Sequence, residues 1–106
     1  MSTMYRIYIA AHYNGARLSL APLLHGCGII GATFYRTEGM WKGAVEPAIV
    51  VEVVEVLGVT LEIQPLWPKI LDFARRAAGL YGQECVLVTM QLLSEARLVA
   101  SNGVAP

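Results

Sequence analysis

The amino-acid sequence predicts an α+β domain: an antiparallel sheet carrying two helices on one face. Three observations lead there. Alternating or β-branched apolar runs recur at 4–12, 29–38, 48–56 and 85–90. Segments with helical spacing separate the first run from the second and the third from the fourth. The second and third runs are joined by a glycine-bearing hairpin rather than a helix. Strand, helix, strand, strand, helix, strand is two interleaved crossover units, the ferredoxin-like βαββαβ pattern. A further C-terminal strand is expected at 96–100. The 106 residues form a single domain, 1–106, with 101–106 as a tail.

In the first strand Tyr5, Ile7 and Ile9 share one face, with Met4, Arg6, Tyr8 and Ala10 on the other. Bulk on both faces predicts a central strand covered on both sides. Asn14-Gly15 breaks it. Residues 16–25 read as a short helix through Leu18, Leu20, Leu23 and Leu24, limited in length or straightness by Pro22. Gly26 and Gly28 end it, because glycine accepts the left-handed cap. The second strand carries Gly31 as a bulge. A long, decorated hairpin follows, with Gly39 and Gly43 flanking Met40, Trp41 and Lys42. The third strand is the clearest. Strict alternation separates Glu52 from Glu55, which places one of them at a bulge or a solvated edge. Residues 58–64 connect, with extended character at 59–63. Pro65 and Pro68 mark a helix start. Ile70, Phe73, Ala74, Ala77 and Leu80 then recur on one side and Lys69, Asp72, Arg75 and Arg76 on the other, up to Gly79 and Gly82.

The chain is 56% hydrophobic and 15% charged, against roughly 45–50% and about 25% in ordinary domains. A small domain cannot bury that surplus alone. The second sheet face reads as apolar, so a homo-oligomer, a dimer or trimer, is expected. No apolar run reaches the roughly 18 residues of a spanning helix. The longest, 18–35, is interrupted by Pro22, His25 and glycines. Zero net charge and scattered cations argue against nucleic-acid binding. The N-terminus lacks a signal-peptide pattern, so the expected location is the cytoplasm, the host's if the source is a phage. Cys27 and Cys85 form no motif and read as free, buried thiols, and no metal ligand set stands out.

Chemistry concentrates around the hairpin. Trp41 offers an aromatic platform for a base or partner, or plugs a subunit interface. Arg36 and Lys42 suit a phosphate, although Arg36 could equally pair with Glu38 or Glu46 across strands. Gln83 and Glu84, between the second helix and the fourth strand, suit a base edge or ribose hydroxyls, or simply satisfy a turn. Tyr13 and Asn14 sit at the end of the first strand, where crossover folds place pockets, and Tyr35 completes the set. His12 as a general base would need an oriented partner, Glu38 or Glu84. No nucleophile elbow, phosphate loop or zinc motif occurs.

The element order, the hairpin after the second strand and the helix-Gly-strand near the end resemble the PII and CutA class of trimeric ferredoxin-like proteins. Gly39-Met40-Trp41-Lys42-Gly43 with Glu46, and Tyr81-Gly82-Gln83-Glu84-Cys85-Val86-Leu87-Val88, resemble segments of small phage and bacterial proteins of that type. The likeness covers roughly residues 4–103. It implies nucleotide binding in clefts between subunits, by hairpin and strand edges. The tip departs from PII loops in holding a single lysine, Lys42, and no metal-ligand cluster of the CutA kind is evident. The expectation is therefore a non-catalytic, cofactor-free oligomer. It binds a small anionic ligand, a nucleotide or signalling nucleotide, through Tyr13, Asn14, Tyr35, Arg36, Glu38, Trp41, Lys42, Glu46, Gln83 and Glu84. A phage sponge for an immune signal would fit. The alternatives are a protein inhibitor anchored by Met40-Trp41 and a small enzyme using His12.

Overall fold

The structure, a computed structural model, describes residues 2–56 and 66–101. The extended character expected at 59–63, Pro65 and the tail beyond Ser101 lie outside the described residues. The elements are β1 (Ser2–Ile9), α1 (Tyr13–Gly26), β2 (Thr33–Trp41), β3 (Ala44–Glu55), α2 (Leu66–Leu80) and β4 (Leu87–Leu93). They form a four-stranded sheet in the order β2-β3-β1-β4, antiparallel throughout. This is the predicted ferredoxin-like arrangement, with β1 and β3 central.

One face of the sheet makes the core. Tyr5, Ile7 and Ile9 of β1 and Ile49, Val51 and Val53 of β3 pack against Ala16, Leu20 and Leu24 of α1 and Ile70, Phe73, Ala74 and Ala77 of α2. The ring of Tyr5 stacks on Trp67 at 5.8 Å. On the other face, Met4, Arg6 and Tyr8 face Val54, Glu52 and Val50 across the ladder, and Arg6 pairs with Glu52 at 3.7 Å. Among the described residues that face carries no helix, so the prediction of a β1 covered on both sides holds for one side only.

Both helices end in the same way. After α1, Ile29 N donates to Leu24 O and Gly28 N to His25 O, with Gly28 at φ 85°. After α2, Gln83 N donates to Ala78 O and Gly82 N to Gly79 O, with Gly82 at φ 63°. These are Schellman caps, in which glycine takes the left-handed position. At the start of α2, the Glu55 carboxylate accepts the Leu66 amide at 3.1 Å, satisfying a helix-terminal donor.

Several details differ from expectation. Asn14 and Gly15 do not break the chain ahead of a helix but lie in the first turn of α1, which continues through Pro22. Gly31 precedes β2 and makes no bulge, and the β2–β3 ladder runs unbroken from Thr33↔Glu52 to Trp41↔Ala44. Glu52 and Glu55 need no bulge either, since one lies on the open face and the other at the strand end. The long hairpin loop shrinks to the two residues Lys42 and Gly43, at φ 51° and 82°. Such a turn matches strand twist and leaves the flanking residues in the ladder. Residues 96–100 form no strand. Arg97 pairs locally with Glu95, and Leu98 and Val99 are exposed. Cys27 is half-buried and Cys85 exposed, because Cys85 lies ahead of β4 rather than inside it.

Candidate functional site

β1 stops at Ile9, opposite Ile49. β2 and β3 continue to Trp41 and Ala44 and so form a two-stranded arm beyond the body of the sheet. Register assigns the faces of the arm. Phe34 pairs with Val51 and Arg36 with Ile49, so Phe34, Arg36, Glu38 and Met40 share the helix-bearing side. Tyr35, Thr37, Gly39 and Trp41 take the other.

Arg36 emerges where the arm leaves the body, beside the first turn of α1. Its guanidinium lies 5.1 Å from the centroid of the Tyr13 ring, and Nη2 donates to Asn14 Oδ1 at 3.4 Å. Arg17, one helical turn after Tyr13, approaches the same ring at 6.0 Å. Arg36 pairs with neither Glu38 nor Glu46 among the described residues; the aromatic ring and the amide take the place of the cross-strand ion pair. An open cleft of about 390 Å³ runs along the arm, lined by Arg36, Thr37, Glu38, Val45, Glu46 and Pro47. Five of the ten expected ligand residues therefore lie along the root and side of the arm: Tyr13, Asn14, Arg36 and Glu38 on the helix-bearing side, and Glu46, opposite Gly39, bordering the cleft from the other face.

The other five are dispersed. Trp41 is at the tip and 57% exposed, with Lys42 Nζ 5.8 Å from its ring. Arg36 and Trp41 are on opposite faces of β2 and about 17 Å apart along the strand, so one chain cannot close both on a single ligand. Tyr35 is on the open face, where the Glu52 carboxylate accepts its hydroxyl and holds the phenol above its ordinary range. Gln83 is occupied by backbone: its Nε2 donates to Ala10 O and its Oε1 accepts from Ala10 N at 3.4 Å. The cap of α2 aims this amide at the end of β1, where it does the work of a missing ladder residue. Glu84 is exposed beside it. His12 is an exposed N-cap with no side-chain capping bond.

Arg17 was not among the residues expected from sequence. It falls on the ring of Tyr13 through i,i+4 helical spacing. That signal is present in the sequence, but it is hidden when the helix is started at Ala16 rather than Tyr13.

The fold and the site together define a small ferredoxin-like protein with an open cleft along a β-arm and an arginine–tyrosine cluster at the root of that arm. No protein-family model and no curated protein matches the chain. Among solved structures it is similar to a phage SAM lyase in complex with S-methyl-5′-thioadenosine, with a TM-score of 0.70 and 16% identity, over 85% of this chain and 80% of that one. It is also similar to a phage SAM lyase in the apo state, with a TM-score of 0.64 and 16% identity, over 84% and 78% of the two chains. These structures correct the expectation of a non-catalytic protein: the fold matched is that of an enzyme, with a nucleoside as its bound ligand. No helix among the described residues is long and apolar enough to cross a membrane.

Proposed function

We propose that this chain is a small lyase acting on S-adenosylmethionine or a close sulfonium nucleoside, breaking the bond from sulfur to the amino-acid chain and releasing S-methyl-5′-thioadenosine. The observation that carries the reading is the likeness, over most of both chains, to a lyase holding that nucleoside. The cleft suits the substrate class. S-adenosylmethionine carries a sulfonium, an ammonium and one carboxylate, and no phosphate. Glu38 lines the cleft on the same face as Arg36 and would face the positive groups, while Arg36 would face the negative one. The ligand class thus changes from the expected small anion to a nucleoside with a charged amino-acid tail, which carries a net positive charge as the sulfonium.

The chemistry also suits a chain without a nucleophile motif. A sulfonium is already a good leaving group. The protein then needs to position the substrate, exclude water and provide a fitting electrostatic environment, without forming a covalent intermediate. Without water or a redox partner, the departing four-carbon amino-acid fragment leaves with a new ring or double bond.

The reading includes a phage-encoded homo-oligomer, a dimer or trimer, which would bring Trp41 and Lys42 of one chain towards the open cleft of another. Tyr35, Val54 and Leu87, exposed by 46%, 40% and 61% on the helix-free face, are the apolar surface such an assembly would cover. Incubation of the purified protein with S-adenosylmethionine, followed by chromatography and mass spectrometry, tests the activity. Release of S-methyl-5′-thioadenosine well above the spontaneous background supports it, and a rate equal to the protein-free control overturns it. Light scattering tests the assembly: a stable monomer at micromolar concentration would remove that part of the reading.

A further inference from the structure

We propose that Arg17 and Arg36, brought together on the ring of Tyr13, bind the carboxylate of the substrate's amino-acid tail. This rests on the substrate class given above and assigns one group of it to two residues.

The charge distribution points to this pair. The chain has six arginines. Arg6, Arg75, Arg76 and Arg97 each pair with a carboxylate. Among the described residues Arg17 and Arg36 have no ion pair, and these are the two whose guanidiniums converge on one aromatic ring, at 6.0 and 5.1 Å. Two positive charges around one ring repel one another, and an anion beside them lowers that penalty.

The geometry suits a carboxylate. A guanidinium over an aromatic face is attracted by the ring, which limits its motion and leaves N–H edges available. The bond to Asn14 Oδ1 at 3.4 Å uses Nη2 of Arg36, so other donors of that fork stay open to a planar, bidentate acceptor. Arg36 itself borders the cleft, so a tail held there would lead directly to the nucleoside-sized space along the arm. S-adenosylmethionine has a single carboxylate, and the root of the arm is where the two arginines without an ion pair among the described residues meet.

Calorimetry with two nucleosides that lack a sulfonium, and so do not turn over, isolates the tail. S-adenosylhomocysteine carries the carboxylate; S-methyl-5′-thioadenosine lacks the tail. The wild-type protein is expected to bind the first more tightly. Arg36→Gln should weaken S-adenosylhomocysteine at least tenfold while leaving S-methyl-5′-thioadenosine within about twofold. Arg17→Gln should show a smaller loss of the same selectivity, and the double variant should bind both nucleosides alike. Both side chains are exposed, so unchanged circular dichroism and melting are expected to accompany these changes. Wild-type binding of S-methyl-5′-thioadenosine with no preference for the tail, or equal loss of both ligands in the variants, overturns the inference alone. Wild-type binding of neither nucleoside overturns the substrate reading and the inference with it.

Discussion

β3 is one continuous strand with two characters. Where it lies beside β1, Ile49 and Val51 are fully buried. Where it runs on into the arm, Val45 is 67% exposed, and Met40, its partner on β2, is 73% exposed. The hydrogen-bonded ladder is equally regular in both parts. The difference is what covers it: α1 and α2 over the body, and no helix among the described residues over the arm. Backbone pairing sets the shape of the arm, while apolar burial stabilises the body. This leaves the side chains of the arm available for a ligand or a neighbouring chain.

The largest expected effect probes the covered part. Phe73 is fully buried against the sheet, and Phe73→Ala should cost about 3–5 kcal/mol through lost burial and the cavity left behind. Trp41→Ala, on the uncovered arm, should change the stability of the isolated chain by less than about 0.5 kcal/mol. Urea unfolding of both variants measures the contrast, and equal costs would mean that the arm is packed after all. Next comes the clamp that ties the end of α2 to the end of β1. Gln83→Ala removes both bonds to Ala10 and leaves a partly buried backbone amide and carbonyl without partners, at about 1–2 kcal/mol. Glu84→Ala, with no such bonds, should be near neutral. A smaller effect is confined to the arm. Gly43 sits at φ 82°, and Gly43→Ala should cost about 1 kcal/mol locally. It should speed amide exchange at the tip and barely move the global unfolding midpoint. A full shift of that midpoint would show arm and body to be a single cooperative unit.

How much of this could be read from the sequence follows the same division. The body was legible, because burial imposes a period: Tyr5, Ile7 and Ile9 alternate, and Ile70, Phe73, Ala74 and Ala77 follow the helical turn. Element order and sheet type came from those patterns. The arm was read as a loop because Gly39, Lys42 and Gly43 are turn-forming types, and no buried face reveals that Gly39 sits within a ladder. At the site, Tyr13, Asn14 and Arg36 were each visible as polar or aromatic residues in suggestive places. Their convergence was not, since it depends on the register Arg36↔Ile49 and on α1 starting at Tyr13 rather than Ala16. The role of Gln83 was hidden for the same reason: its partner Ala10 is 73 residues away. Absence of catalytic activity was inferred from missing motifs, an inference that fails for chemistry whose substrate brings its own leaving group.

The smallest effects concern charge, and they differ in sign between half-buried Asp72 and exposed Tyr35. Asp72 on α2 accepts from Arg75 at 2.6 Å and pairs with Arg76 at 3.1 Å. The Arg75 hydrogen bond is the main cause that holds its carboxyl below the usual range. A carboxyl with a depressed folded-state pKa stabilises the fold above its unfolded value of about 3.9, and that contribution is lost as pH falls through the folded value. Tyr35, raised chiefly by its hydrogen bond to Glu52, behaves oppositely. Its contribution is present below about pH 10 and is lost as pH rises through the folded value. Melting curves across pH for the wild type, Asp72→Asn and Tyr35→Phe separate the two. The wild type should exceed Asp72→Asn near neutrality by a small margin that closes only at the acid end. It should exceed Tyr35→Phe by a margin that closes only at the alkaline end. Salt should shrink the first margin more than the second, because the Asp72 pairs are solvated ion pairs whereas the Tyr35 bond is a directed hydrogen bond. If the Asp72→Asn gap instead widened towards acid, the carboxyl would have to be raised rather than lowered in the fold, and the pairing with Arg75 would not persist in solution.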